Sequence, residues 1–234
     1  MYLFDSYRII DVKCLLSYMK RTILASLDSI PYFTIEGVKQ LLGDSPAATV
    51  RTDLYRWMKT GQVIQLKKGV YMARRFFELH HADPDFSPAI SAVIQPQSYV
   101  SLEFILQRCG LLTEITYPVS AVTRKHTLVV ENSLGGFSYR HIQPDLYHGF
   151  ILAEYLGIRF AQAAAPKALF DYLYLRPAGA WLRSSNYNLA EELRLNLDLF
   201  SPAEQIEFTG YVNASRIPKM ERILETLRRS VWRP

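Results

Sequence analysis

Apolar positions in the first 75 residues recur at helical spacing in three short segments. The first segment predicts a helix over about residues 14–28, ended by Pro31. Its apolar stripe consists of Leu16, Met19, Ile23, Leu27 and Ile30. A second helix is expected after Thr34, whose hydroxyl can cap a helix N-terminus, and Gly43 is expected to end it. The apolar face of this second helix consists of Ile35, Val38, Leu41 and Leu42.

Ser45 and Pro46 predict the start of a third helix, because a serine cap followed by proline is a common N-terminal signal. Two short helices joined by a glycine-containing turn are typical of a helix-turn-helix. At about 100° per residue, the core face of the third helix holds Val50, Leu54, Trp57 and Met58. The opposite face holds Thr49, Thr52, Arg56 and Lys59, with Arg51 and Tyr55 beside it. These side chains suit base edges and phosphates, although a solvated helix face has the same composition.

Two β-prone runs at residues 63–66 and 70–72 flank Lys67, Lys68 and Gly69. This pattern predicts a hairpin with a basic tip, and the order of elements is then that of a winged helix-turn-helix. Arg74 and Arg75 continue the positive stripe. We therefore predict a domain that binds double-stranded DNA. Bases would be contacted by Thr49, Thr52 and Arg56, and phosphates by Arg51, Lys59, Lys67, Lys68, Arg74 and Arg75.

The pattern after residue 86 predicts an α+β domain with antiparallel strands and a helical tail. Helices are expected over residues 88–94, 102–109 and 166–175, and strands over residues 117–124, 127–131 and 137–142. Residues 151–160 fit either a strand or a helix. Ser101 is a candidate helix cap, and Lys167 and Asp171 are spaced to pair across one helical turn. The last apolar stripe consists of Met220, Ile223, Leu224, Leu227 and Val231.

The distribution of charge along the chain indicates how the predicted elements divide into domains. The chain has 234 residues, is 49% hydrophobic and 21% charged, and has a net charge of +5, all of which is ordinary for a globular protein. Residues 1–75 contain 12 basic and 6 acidic side chains, whereas residues 76–234 contain 15 and 16. The positive excess therefore belongs to the first third. We predict a DNA-binding domain over residues 1–75, a linker over residues 76–86 and a near-neutral domain over residues 87–234.

No motif in the sequence indicates catalysis, a metal or a cofactor, so we predict a protein that is not an enzyme. Asp83 and Asp85 resemble a metal-binding pair but lie in the predicted linker, and the adjacent His80 and His81 are expected in a surface loop. Cys14 and Cys109 are expected to be buried free thiols of a cytoplasmic protein, and neither a signal peptide nor a membrane span is predicted.

Basic and aromatic residues at positions 124–126 and 139–141 could touch nucleic acid, but exposed strand positions are the simpler interpretation. Two other functions stay open at this point. One is a nucleic-acid-modifying enzyme that a winged helix directs to its substrate, and the other is a winged helix used for protein contact.

Six short motifs occur in an order and spacing that resemble the AbiEi family, the antitoxins of type IV toxin–antitoxin systems and predicted transcriptional regulators of a viral defence system. The resemblance extends over about residues 15–176. The motifs are residues 68–71, 98–103, 110–112, 121–123, 137–142 and 166–175. The family's usual Pro-Glu-Lys-Ala-Leu lacks its glutamate here, because Pro166 is followed directly by Lys167.

The resemblance implies a two-domain antitoxin and an abortive-infection role. Its winged helix would bind inverted repeats in the promoter of its own operon and repress it. Its C-terminal domain would counter a nucleotidyltransferase toxin without forming a stable complex with it. We expect a monomer or a weak dimer that pairs on DNA.

Overall fold

The computed structural model describes residues 21–43, 46–114, 118–177 and 189–232, which form a mixed α+β protein. The chain divides into an N-terminal unit that ends at Ala82 and a C-terminal unit that begins at Asp83. Each unit has its own β-sheet and its own apolar core. None of the described helices combines the length and the apolar character that a membrane crossing requires.

The described part of the N-terminal unit contains four helices and one small antiparallel sheet with the strand order β1-β3-β2. The first helix, α1, covers residues 21–27. It is followed by β1 (Phe33–Thr34), α2 (Ile35–Leu41), α3 (Ala47–Lys59), β2 (Val63–Lys67), β3 (Val70–Ala73) and α4 (Arg74–His80). The core between the helices and the sheet contains Leu27, Val38, Val50, Leu54 and Trp57.

Local signals predicted much of this unit. The Thr34 hydroxyl accepts a hydrogen bond from the Gly37 amide at 3.1 Å, as expected of a helix cap. Gly43 follows α2 with φ +65°, the left-handed conformation that favours glycine after a helix. Ser45, Leu16 and Met19 lie outside the described residues.

Two expectations for this unit were wrong, and one strand was missed. Ile30 and Leu41 are 37% and 50% exposed, so they do not belong to the buried stripes. Pro46 precedes the first residue of α3 instead of being that residue, and its carbonyl accepts hydrogen bonds from Thr49 and Val50. The strand β1 was not anticipated, because two residues are too few to show an alternating pattern.

The segment predicted as a linker begins with ordered structure. Residues 74–80 form α4, and Phe76 is buried. His80 is the last residue of α4 and His81 follows it, so the two histidines are not in an extended loop. Their rings lie 4.3 Å and 5.0 Å from those of Phe76 and Phe77, one helical turn earlier. Both histidines therefore pack against phenylalanine rings of the same helix.

The C-terminal unit contains a six-stranded mixed sheet with the strand order β6-β7-β5-β4-β9-β8. Its first elements are α5 (Phe86–Ile94), β4 (Ser98–Val100), α6 (Leu102–Arg108), β5 (Val119–Thr123), β6 (Leu128–Asn132) and β7 (Gly135–His141). A short 3₁₀ helix (Pro144–Leu146) leads to β8 (Phe150–Tyr155), β9 (Ile158–Ala163) and α7 (Ala165–Leu175). The described tail contains α8 (Leu189–Glu192), a second 3₁₀ helix (Leu197–Leu199), α9 (Pro202–Ser215) and α10 (Pro218–Ser230).

The expectation of antiparallel strands was incomplete. The pairs β4–β5, β6–β7 and β8–β9 are antiparallel, but β5 pairs in parallel with β7 and β4 in parallel with β9. The hairpin β6–β7 places its second strand beside β5 and its first strand at the sheet edge. The ambiguous segment at residues 151–160 belongs to β8 and β9, and β4 was missed because it has only three residues.

The helix α7 lies in the middle of the C-terminal core. Every residue from Ala165 to Leu173 is buried, and α6, α9 and β9 pack around it. The predicted stripe of the tail is confirmed in α10, where Met220, Ile223, Leu224 and Leu227 are buried. Because α7 has no solvent-facing side over most of its length, its polar residues must find partners inside the protein.

Candidate nucleic-acid interface

The helix α3 faces the core with one side of its surface. Val50, Leu54 and Trp57 are buried against α2 and the sheet, as the periodicity predicts. Asp53 is also buried, at 2% exposure, which the periodicity did not reveal. The four buried positions, 50, 53, 54 and 57, have the i, i+3, i+4, i+7 spacing of one helix face. They form one stripe, and the rest of the helix surface faces solvent.

The solvent side of α3 carries every base- and phosphate-contacting candidate predicted on this helix. Thr49, Arg51, Thr52, Arg56 and Lys59 are all exposed, and Tyr55 among them is 62% exposed. Arg56 and Lys59 lie in the last turn, where a positive side chain interacts favourably with the helix dipole. The helix therefore presents hydroxyl, guanidinium and ammonium groups together on a single accessible surface.

Two of these side chains are already oriented by the helix itself. The Thr52 hydroxyl donates to the Ala48 carbonyl at 2.9 Å, so its oxygen remains available as an acceptor. The Arg56 guanidinium lies 3.8 Å from the carboxylate of Asp53, one turn earlier, while 69% of the Arg56 side chain stays exposed. A long, weak ion pair of this kind leaves the guanidinium free to bind another group.

The hairpin β2–β3 places its two lysines in different surroundings. Lys67 is the last residue of β2, pairs with Val70 and is half-buried, whereas Lys68 is exposed in the turn. The turn depends on Gly69, whose φ of +81° is rarely adopted by residues with a side chain. Of the two hairpin lysines, Lys68 is thus the more exposed.

Arg74 and Arg75 lie at the other end of the same hairpin. Val63 pairs with Ala73, so the residues after Ala73 are separated from the Lys68 turn by the length of the strands. Arg74 is half-buried and donates to the Gly61 carbonyl at 3.3 Å, just beyond α3, while Arg75 is exposed. The structure therefore does not bring Arg74 and Arg75 together with Lys67 and Lys68.

The C-terminal unit contains a different polar cluster, which is fully buried. Lys167 and Asp171 in α7 pair at 2.7 Å, as their spacing predicts, but neither side chain is exposed at all. Asp171 also accepts hydrogen bonds from the hydroxyls of Tyr99 at 2.9 Å and Ser101 at 2.8 Å. Lys167 donates to the Leu146 carbonyl at 2.9 Å. Ser101 thus binds Asp171 and does not cap α6 with its side chain.

Burial dominates the electrostatics of this cluster. It lowers the pKa of Lys167 and raises the pKa of Asp171, while the charge of each partner opposes the shift. Burial also raises the pKa of Tyr99, and the neighbouring Asp171 carboxylate adds to that effect. Each polar group is nevertheless hydrogen-bonded, which is the condition under which buried charges are tolerated.

Sequence reasoning missed Tyr99 and Ser101 as partners of the buried pair. The available signal was the set of family-like motifs, because Tyr99 and Ser101 belong to one motif and Lys167 and Asp171 to another. More than 60 residues separate the two motifs along the chain, and β4 and α7 bring them into contact. The cluster joins elements of the fold and is closed to solvent.

The other residues considered for chemistry have structural roles in the described chain. Asp83 accepts a hydrogen bond from the Tyr155 hydroxyl, and Asp85 pairs with Arg108 at 2.7 Å. Among the described residues, no group of three or more His, Cys, Asp or Glu could hold a metal ion. Cys109 is a free thiol but is exposed, contrary to expectation, and Cys14 lies outside the described residues.

The basic and aromatic residues near β5 and β7 also differ from the expectation. Residues 124–126 are exposed, but they follow β5 instead of belonging to a strand. Tyr139 is fully buried and donates to the Ser91 carbonyl at 2.9 Å, so it is not an exposed strand residue. Arg140 and His141 are exposed at the end of β7.

Residues 21–73 match a family model described as the transcriptional regulator, AbiEi antitoxin. The match extends from α1 to β3 and includes both α3 and the hairpin, so the resemblance to the AbiEi family is confirmed over this segment. The matched family consists of antitoxin transcriptional regulators and is not a family of enzymes. It supports a regulatory antitoxin role and implies DNA binding. A search of the curated proteins found no match.

Proposed function

We propose that this chain is a sequence-specific DNA-binding repressor and antitoxin whose N-terminal unit is a winged helix-turn-helix. In this proposal α3 is the recognition helix and the hairpin β2–β3 is the wing. The observation that carries the proposal is the solvent side of α3, where hydroxyl and cationic groups are exposed together within the segment that matches a regulator family. An α-helix of this width fits the major groove, where base edges are distinguishable.

The proposal divides the contacts into two groups. Thr49, Thr52 and Arg56 read bases, because hydroxyls and guanidinium groups can bond base edges with defined geometry. Arg51 and Lys59 on α3, together with Lys67 and Lys68 on the hairpin, bind phosphates. Arg74 and Arg75 would reach phosphates at a separate place, because they lie at the opposite end of the hairpin.

The regulatory role that we propose follows from the family match and the resemblance. The chain binds inverted repeats in its own promoter, as a monomer or weak dimer that pairs on DNA, and acts in the cytoplasm. Its C-terminal unit counters a nucleotidyltransferase toxin without a stable complex. The buried cluster around Asp171 would serve that unit by maintaining its architecture, because no atom of the Lys167 or Asp171 side chain is accessible.

A gel-shift titration with the chain's own upstream promoter and with random DNA tests the DNA-binding proposal. The wild-type chain should prefer the promoter, and the double variant Lys67→Ala, Lys68→Ala should weaken binding to both DNAs. Loss of two phosphate contacts should make the salt dependence shallower by about two units. Of the two single variants, Lys68→Ala should have the larger effect, because Lys68 is exposed whereas Lys67 is half-buried.

The control is Arg159→Ala, which removes one positive charge from the C-terminal unit, where 88% of the Arg159 side chain is exposed. It should leave the salt slope and the promoter preference unchanged. If the double lysine variant bound the promoter with unchanged affinity and slope, the hairpin would not be a wing. If the wild-type chain bound neither DNA, the DNA-binding proposal would be contradicted, and a winged helix used for protein contact would be the remaining interpretation.

The antitoxin role needs a separate test, in which the chain is expressed together with a nucleotidyltransferase encoded beside its gene. Growth should be restored by the wild-type chain and equally by Arg56→Ala, since the latter affects DNA reading alone. Failure of both chains to restore growth would contradict the antitoxin role and leave the repressor role standing.

A further inference from the structure

The C-terminal unit has a polar cleft of about 600 Å³ that the buried cluster does not use. Its walls come from the start of α6, from β5 and β7, from the end of α7 and from the residues around the end of α8. A lobe of about 280 Å³ shares Leu102, Glu103, Arg140, Tyr172 and Arg176 with it. We call this region the Arg140 cleft. Its volume lies in the range of small-molecule sites in proteins.

Two guanidinium groups line both parts of the Arg140 cleft. Arg140 donates to the Leu175 carbonyl at 3.2 Å, and Arg176 donates to the Tyr172 hydroxyl at 2.7 Å. Both acceptors are neutral, and among the described residues neither arginine has a carboxylate within ion-pair distance. Each guanidinium therefore keeps its full charge and several unused N–H groups, which suit bidentate binding of an anion.

A third arginine at the cleft provides a contrast. Arg194 pairs with Glu114 at 2.7 Å, so a carboxylate of the protein already compensates its charge. Among the described residues, Arg140 and Arg176 are thus the cleft arginines without an ion pair, and Glu103 and Glu192 are the other charged side chains that line it. This difference determines where an anionic group of a ligand would lie.

Contacts within the protein hold Arg140 and Arg176 in place before any ligand binds. Arg176 rests over the Tyr172 ring, with its guanidinium carbon 5.5 Å from the ring centre, and the Tyr172 side chain is largely buried. Arg176 directly follows α7, and Arg140 of β7 bonds the Leu175 carbonyl at the same end of that helix. Lys219 of α10 holds this end by donating to the carbonyls of Tyr174, at 2.8 Å, and Arg176. Preorganisation of this kind lowers the entropic cost of binding.

Glu103 supplies an acceptor in the same cleft. It is half-buried in the first turn of α6 and has no hydrogen bond or ion pair among the described residues. Its negative charge reaches Tyr172, because it adds to the effect of burial in raising the pKa of that phenol. A ligand that satisfies the whole cleft therefore needs an anionic group for the arginines and a hydrogen-bond donor for Glu103.

We propose that the Arg140 cleft binds a phosphorylated small molecule of mononucleotide size. Its phosphate accepts hydrogen bonds from Arg140 and Arg176, and a hydroxyl or amino group of the same molecule donates to Glu103. A phosphate with nearly two negative charges suits two guanidinium groups, and the volume accommodates a sugar and a base. This site is independent of the proposed DNA interface, which lies in the other unit.

Isothermal titration of the full-length chain at low salt tests the proposal. The probes are AMP, GMP, CMP, UMP, the four corresponding nucleosides and inorganic phosphate. At least one mononucleotide should bind with a Kd below about 1 mM, and its nucleoside should bind at least roughly tenfold more weakly. Arg140→Gln and Arg176→Gln should each weaken nucleotide binding by roughly tenfold or more, the effect of losing a charge-assisted hydrogen bond.

The matched control is Arg159→Gln, which removes the same charge from the exposed surface of β9 and should leave binding unchanged. Glu103→Gln should reduce the preference for the nucleotide over inorganic phosphate. Arginine modification of the wild-type chain provides a measurement that needs no variant. The nucleotide should protect Arg140 and Arg176 from phenylglyoxal and leave Arg159 reactive.

Three results would overturn the proposal. The first is the absence of binding by every nucleotide at about 5 mM. The second is nucleotide binding that neither arginine variant weakens and that gives no protection of Arg140 or Arg176. The third is that inorganic phosphate binds as tightly as the nucleotides. This result would identify a site for a free anion and contradict the proposal that the cleft recognises a mononucleotide.

Discussion

The two units use their charged side chains in opposite ways. On α3 of the N-terminal unit, Arg51, Arg56 and Lys59 are exposed, and Arg56 lies 3.8 Å from the carboxylate of Asp53. In the C-terminal unit, Lys167 and Asp171 are fully buried and each has more than one partner. Exposed ion pairs contribute little to folding, so residues on a surface are free to serve a partner. Buried charges must satisfy one another.

This difference explains why the exposed polar residues of α3 indicate a binding function, whereas the buried polar residues around Asp171 indicate a structural role. Removing Arg51 or Lys59 from α3 takes away an exposed charge and should leave the fold intact. Removing a charge from the buried cluster leaves its partner without compensation in an apolar environment. Each unit therefore predicts a different response to the same kind of substitution.

The largest effect is expected at Asp171. The variant Asp171→Asn leaves Lys167 buried beside a neutral group, so the free energy of unfolding of the C-terminal unit should fall by about 3–5 kcal/mol. The measurement is urea unfolding followed by tryptophan fluorescence in a Trp57→Phe background, which removes the N-terminal unit's tryptophan and retains the buried Trp232. The double variant Lys167→Met, Asp171→Leu should lose much less, because no charge is left unpaired. A loss below about 1 kcal/mol in the single variant would contradict the buried pair.

At Arg56 we expect a larger effect on DNA binding than on stability. Arg56→Ala should weaken binding to the promoter by about 1–3 kcal/mol and relax discrimination at one base pair. Its free energy of unfolding should change by no more than about 1 kcal/mol, because the Arg56 side chain is 69% exposed and its contact with the buried Asp53 is long, at 3.8 Å. Fluorescence anisotropy with the promoter and with single-base variants measures the first quantity, and urea unfolding the second. A stability loss larger than the binding loss would show that Arg56 is structural.

Alkaline pH should affect the C-terminal unit through its buried tyrosines. Burial raises the pKa of Tyr99 and Tyr139 above the ordinary value of 10.0. Their contribution to stability is therefore complete below pH 10 and is lost as the pH rises, since the unfolded chain releases these protons first. Above pH 10, each of the two tyrosines should lower the free energy of unfolding by about 1.4 kcal/mol per pH unit. The free energy of unfolding, measured with urea at several pH values above 10, should fall less steeply with pH for Tyr99→Phe than for the wild-type chain. An equal pH dependence would contradict a raised pKa of Tyr99.

The smallest effects come from one substitution made in each unit. Gly69→Ala should destabilise the hairpin by about 1–2 kcal/mol, because φ is +81° at that turn. Gly210→Ala in α9 should instead stabilise the chain by about 0.5–1 kcal/mol, because a methyl group there meets open space on a helix. Thermal unfolding of both variants gives the two signs. Two shifts of the same sign would contradict one of the two backbone conformations.

Local patterns predicted the elements of the N-terminal unit well. The faces of α3, the Thr34 cap and the Gly43 ending depend on residues within one or two turns of each other, so sequence spacing contains the necessary information. The buried Asp53 was missed because a single polar residue within an apolar stripe is invisible to periodicity. The different exposure of Lys67 and Lys68 was missed because it depends on the exact register of the hairpin.

The C-terminal unit was predicted less completely, because its decisive contacts are distant in sequence. The spacing of Lys167 and Asp171 predicted their pairing but not their burial, which depends on α6, α9 and β9 packing around α7. Tyr139 was assigned to the surface because its strand also carries Arg140 and His141, yet its side chain points to α5 and bonds Ser91. The Arg140 cleft was not foreseen at all, since its walls come from five separate elements.

The sequence by itself determined that the positive excess lies in the first 75 residues, that one side of α3 is polar and that two lysines adjoin a turn glycine. These properties follow from the composition and from the period of an α-helix. Only the tertiary structure decided that Arg74 lies away from Lys68, that Asp83 and Asp85 bind neighbouring side chains and that Tyr99 and Ser101 meet Asp171. The physical reason is that such contacts depend on which strands become neighbours, and strand order is set by burial of the whole core.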